Sequence, residues 1–229
     1  MNDDSAIAVQ SGSPATVPAL IGLAVAFGWP LLLTIPGVST HQITNAHDDT
    51  VDLCVKWLVV VVLCVIAFSV QRWRPAELGI RWLGWRDVLA GLGGVIVAFV
   101  LSGAASRFVT MPSSVSDLRK LAGVPLELRI VVVLTAAICE EFMYRGFGIE
   151  ELAYLTGKRW LAGVLSLTVF TVSHAGLYGI SAALIIPGLV GGVLTVLYLW
   201  RRNLLSCMLM HVIVDGIVVV VIPAAMQTK

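Results

Sequence analysis

Seven apolar runs, at roughly 17–38, 52–70, 87–109, 127–150, 160–178, 180–200 and 203–225, constrain every fold open to this chain. Each is close to the ~20 residues that an α-helix needs to cross the hydrocarbon core of a bilayer. In lipid only helices and closed barrels satisfy all their backbone groups. A water-soluble globule is excluded by charge: 13% of residues are charged and 58% apolar, with mean hydropathy +0.93, where a soluble domain carries about a quarter charged. Disorder would need the opposite composition. A net charge of +1 without a basic domain gives nucleic acid no electrostatic footprint. The expectation is an all-α, polytopic transmembrane helix bundle of about seven spans in the cell membrane.

Residues 1–16 are acidic and Ser/Pro-rich and lack the basic start of a signal peptide, so they read as a disordered tail. No repeat and no linker separates 17–124 from 125–229, which together form one membrane domain. Pro30, Pro36 and Pro187 interrupt spans, and neighbouring helices re-satisfy the freed carbonyls. Gly91, Gly93, Gly94, Gly188, Gly191 and Gly192 allow close helix approach. The 71–86 stretch mixes Arg with Trp73, Trp82 and Trp85 and fits the headgroup region. Eight Lys/Arg flank the spans on the face of that stretch, against six on the other, which puts the N-terminus in the cytoplasm. The 39–52 loop carries His41, His47, Asp48, Asp49 and Asp52 and reads as solvated. Cys54, Cys64, Cys139 and Cys207 form no CxxC pair and read as small buried apolar residues.

Ionisable groups at bilayer depth need a different explanation. Each costs at least ~2.5–3.5 kcal/mol to insert, so such residues pair up or do chemistry inside a bundle. The fourth run holds Glu140, Glu141 and Arg145. Glu141 and Arg145 are one turn apart and within ion-pair reach, whereas Glu140 points about 100° away and stays available. The fifth run places Phe170 one turn before His174, and the seventh places His211 one turn before Asp215. Counted at 1.5 Å per residue, His174 lies ~22 Å beyond Arg159 and His211 ~14 Å beyond Arg202, while Glu140 is near the middle of its helix. Three helices thus bring two carboxylates, two imidazoles and a third carboxylate to overlapping depths.

The ordered motifs Glu140-Glu141-x-x-x-Arg145-Gly146, Phe170-x-x-x-His174 and His211-x-x-x-Asp215 resemble the CPBP family (CAAX proteases and bacteriocin-processing enzymes, also called Abi). Type II CAAX prenyl endopeptidases are its best-known members, and the similarity covers roughly 125–220. The resemblance implies an intramembrane endopeptidase that hydrolyses peptide bonds with an activated water. Glu140 would be the general base, helped by His174; His211 and residue 215 would stabilise the oxyanion; Glu141, Arg145 and Phe170 would support the site. The last motif position is usually Asn, and here Asp215 must be protonated, orient His211, or help ligate a metal. Glu140, His174, His211 and Asp215 are an acceptable zinc set, although no HExxH is present, and the expectation leans to a metal-independent mechanism. Substrates of this type are membrane-associated peptides or lipidated, prenylated proteins. A transporter or proton channel could use the same buried groups, although no repeated half is visible. A non-catalytic, bacteriocin-immunity-type protein could keep the fold alone.

Overall fold

The computed structural model describes residues 16–32, 34, 46–107, 122–175 and 180–227, and every regular element among them is helical. Helix α1 is Thr16–Leu32 and α2 is Ala46–Cys64, continued by the π-helical Val65–Val70. After a 3₁₀ turn at Pro75–Leu78 comes α3, Trp85–Ala105. Helix α4 runs in three parts: α-helical Leu126–Glu140, π-helical Glu141–Ile149 and α-helical Glu150–Thr156. Then follow α5 (Arg159–Ser173) and α6 (Ile180–Arg201). Helix α7 is Leu204–Asp215, continued by π-helical Gly216–Val221 and by Ile222–Gln227.

The seven expected spans correspond to these seven helices. Some boundaries differ: α1 ends at Leu32, the chain expected as loop at 39–52 is already helical from Ala46, and α4 continues past 150 to Thr156. Acidic residues early in a helix face the positive end of its dipole, which suits the Asp-rich start of α2. His41 and the side chains of His47, Asp48 and Asp49 lie outside the described residues. The ends of the helices follow local chemistry. The Asp87 carboxylate accepts the Gly84 N–H at 3.1 Å and starts α3. Gly157, at φ 69°, closes α4 by donating to the Ala153 carbonyl at 2.9 Å. Asn203 Oδ1 accepts from the Leu205 and Ser206 amides at 3.1 and 3.4 Å and starts α7.

Helix α4 lies at the centre, touching α1, α2, α5 and α7, while α6 packs on α3 and α5. All nine residues of its π-helical part are buried. The outside is apolar instead: Leu58, Ile96, Val100 and Val196 are each more than 60% exposed. Buried charge and exposed aliphatic surface invert the arrangement of a soluble protein and suit a lipid solvent. Thr50–Val70, Trp85–Ala105 and Leu204–Ala225 are long and apolar enough to cross a membrane, at ~31–33 Å each. Thr16–Leu32, Arg159–Ser173 and Ile185–Arg201 are shorter apolar helices.

The arginine-rich face is knitted together by polar contacts that no motif announces. Trp82 and Trp85 are exposed there, as expected, whereas Trp73 packs against the core. Leu204 N–H donates to the Gly79 carbonyl at 2.7 Å, and Arg201 Nε to Asp87 Oδ1 at 2.9 Å. Glu150, 5% exposed, receives both Arg202 Nη1 and Nη2, the Tyr198 hydroxyl at 3.0 Å and Arg159 Nη2 at 3.4 Å. One carboxylate thus joins the end of α4 to α5, α6 and the turn before α7. Removing a partner from a buried ion pair costs about 3–5 kcal/mol because the other charge stays buried. Glu150→Ala should therefore lower stability by about 3 kcal/mol or more, read as a shifted unfolding midpoint in a reversible denaturant titration.

Candidate active site

Helix α4 presents two adjacent carboxylates to different neighbours. Glu141, fully buried, receives Arg145 Nη1 at 2.9 Å one turn on, the pairing expected from their spacing. The same Oε1 lies 2.8 Å from His211 Nδ1 on α7. The other ring nitrogen, Nε2, faces Asp215 Oδ2 at 3.3 Å. An imidazole between two carboxylates makes both contacts only with a proton on each nitrogen, or with the proton lent to one carboxyl. Asp215 is thus placed as an acceptor towards His211, one of the three roles left open by its replacing Asn.

Arg145 extends the network across the bundle. Its Nη2 donates to the Gly191 carbonyl on α6 at 3.0 Å, and its guanidinium lies 4.4 Å from the centre of the Phe170 ring on α5. Phe170 in turn lies 4.5 Å from the His174 ring and meets Tyr144 edge-on at 5.1 Å. His174 stands where α5 ends, its Nδ1 2.8 Å from the Phe170 carbonyl. A carbonyl only accepts, so Nδ1 carries a proton. Ser173 Oγ, 3.4 Å from the same Nδ1, receives the Tyr144 hydroxyl at 3.1 Å. The supporting residues Glu141, Arg145 and Phe170 therefore form one continuous contact chain from Asp215 to His174.

Glu140 turns to the other side. His174 and His211 are its electrostatic neighbours, and so is Lys56, whose Nζ lies 3.0 Å from Glu140 Oε1. Asp52 Oδ2 holds the same ammonium at 3.2 Å. This differs from the expected free carboxylate. A charge at that depth needs a counter-ion, and α2 supplies one. Lys56 and Asp52 carried a readable signal, a charged pair one turn apart on a helix otherwise rich in Val and Leu. Tyr144 and Ser173 carried none. The π-helical parts of α4 and α7 begin directly after Glu140 and Asp215. Such widened turns concentrate at functional positions.

The metal-binding alternative is tested by the donors themselves. Both His211 nitrogens face carboxylates, and Glu140 Oε1 is held by an ammonium. Among the described residues no three His, Cys, Asp or Glu side chains are grouped to hold a metal ion. The set as arranged does not fit zinc.

A buried cluster of carboxylates and imidazoles on three helices, inside a bundle with an apolar exterior, defines the class: an all-α membrane protein with ionisable groups gathered in its interior. Residues 123–217 match the family model "Type II CAAX prenyl endopeptidase Rce1-like". The match bears out the resemblance carried by the motifs, and the matched segment contains all six of their charged or imidazole residues. No curated protein and no solved structure matches the chain.

Gly191 is the backbone position on which this geometry leans hardest. A Cβ there would stand 2.7 Å from the Phe170 ring, whereas one on Gly192 meets Leu167 only at 3.9 Å. Gly191→Ala should cost about 1–3 kcal/mol through overpacking and displace Phe170. Gly192→Ala should be near neutral. Paired unfolding titrations of the two variants check this.

Proposed function

We propose that the protein is an intramembrane endopeptidase in which Glu140 activates water to hydrolyse a peptide bond of a membrane-associated or prenylated, CAAX-type substrate. The observation that carries this reading is the gathering of Glu140, His174 and His211 inside the bundle, with the supporting network behind them. Glu140 takes the water proton as the water oxygen bonds to the carbonyl carbon, and the π pair moves onto the carbonyl oxygen. His174, its Nδ1–H held by the Phe170 carbonyl, orients the water. As the tetrahedral intermediate collapses, the carbonyl re-forms and the C–N bond breaks with its electron pair going to nitrogen. The proton held by Glu140 goes to the leaving amine, which returns Glu140 to a carboxylate. His211, anchored by Glu141, turns Nε2–H from Asp215 to the developing oxyanion. Arg145 offsets the Glu141 charge and keeps both in register. No step needs a metal. The basic excess on the 71–86 side supports a cytoplasmic N-terminus.

The test is cleavage of a farnesylated CAAX-type peptide by protein in nanodiscs. Glu140→Gln should lower kcat by about 10²–10⁴-fold, the usual worth of a general base, and His174→Ala by a comparable factor. Chelators should leave the wild-type rate unchanged. Loss of activity with chelator, restored by Zn²⁺, would replace this mechanism with a metal-dependent one. Proton flux in proteoliposomes without cleavage would replace the protease with a transporter.

A further inference from the structure

We propose that Lys56, outside the segment matched by the family model, is a catalytic residue whose ammonium receives the negative charge that leaves Glu140 during attack. The proposal rests on the protease reading above and adds a residue from the N-terminal helices to the site.

The donor inventory leads to Lys56. A tetrahedral oxyanion needs hydrogen-bond donors aimed at it in a place that excludes water. Asp215, as a carboxylate, only accepts. His211 brings one donor, the Nε2–H it shares with Asp215, and the His174 Nδ1–H is spent on the Phe170 carbonyl, so a second donor must come from elsewhere. Arg145 is spent on Glu141 and Gly191 and covered by Phe170. Lys56 has three N–H groups on a long stem. Two are directed at Glu140 Oε1 and Asp52 Oδ2, at 3.0 and 3.2 Å. Its charge acts on His174 and Tyr144 as well as on Glu140. The next residue fixes its position: Trp57 Nε1 donates to Thr135 Oγ1 at 3.1 Å and locks α2 onto α4.

The charge movement explains why this cation contributes to the rate and not only to folding. Before attack the negative charge is on Glu140, paired with Lys56. As water gives its proton to Glu140 and its oxygen bonds the carbonyl carbon, the carboxylate becomes a neutral acid and the charge appears on the former carbonyl oxygen. The ammonium then loses its partner and turns to the new anion. Asp52, 3.2 Å from the ammonium, keeps it in place as Glu140 is protonated, which makes it a positioning residue. A merely structural Lys56 would neutralise Glu140 in the resting state and do no more.

Lys56→Met and Lys56→Arg separate the two. With the farnesylated peptide in nanodiscs, Lys56→Met should lower kcat by about 10²-fold or more, the scale of one lost oxyanion donor, with KM within about threefold of wild type. Lys56→Arg keeps a cation and should retain at least about a tenth of wild-type kcat. A phosphinate peptide, a stable tetrahedral anion, should bind Lys56→Met at least about tenfold more weakly than wild type, and a non-cleavable reduced-amide peptide should bind both alike. Lys56→Met with kcat within threefold of wild type would overturn the proposal. So would equal inactivity of both variants with lowered melting temperatures. A wild-type protein that cleaves no peptide overturns the protease reading and this one with it, whereas an active wild type beside an equally active Lys56→Met overturns this one alone.

Discussion

Arg145 is 1% exposed inside an apolar bundle, and its neighbours are arranged so that this burial is tolerable. A buried charge persists only when it is paired and its remaining donors are satisfied. Glu141 supplies the charge, the Gly191 carbonyl a second acceptor and the face of Phe170 a third contact. Each partner belongs to a different helix or turn, so meeting the needs of one side chain fixes α4 against α5 and α6. Glu141 then extends the constraint to α7 through His211. The interaction that solves an electrostatic problem in lipid is thereby the one that assembles three motif helices.

Adjacent carboxylates on one helix acquire opposite characters from this arrangement. Glu141 faces the middle of the bundle and is consumed by structure, whereas Glu140 faces α2 and is held by a single flexible ammonium. A rigid pair suits a scaffold. A pair with a long, mobile cation suits a carboxylate that must change its protonation state during a reaction. The widened stretch directly after Glu140 carries Phe142, Tyr144 and Phe147, all buried.

The other end of the bundle uses the same physics for a different purpose. Glu150 gathers Arg159, Tyr198 and Arg202 at the face where Trp82 and Trp85 are exposed. Neither the spacing of these residues nor their composition marks them as partners, since they come from three separate helix ends. The network pins the short connections and leaves the mid-depth site with fixed walls.

Much of this was legible in the chain. Length and hydropathy gave the helices, because a bilayer imposes one minimum length on any apolar span. Helical spacing gave Glu141 with Arg145 and brought His211 to Asp215, because residues one turn apart share a face whatever surrounds them. The pairings between helices were not legible. That His211 meets Glu141 rather than Glu140, that Gly191 must lack a side chain and that Lys56 reaches Glu140 all depend on how each helix is rotated and how deep it sits. Those quantities are set by packing among helices distant in sequence, and no local pattern encodes them. Sequence by itself determined which groups had to be buried, and the tertiary structure alone decided which charge neutralises which.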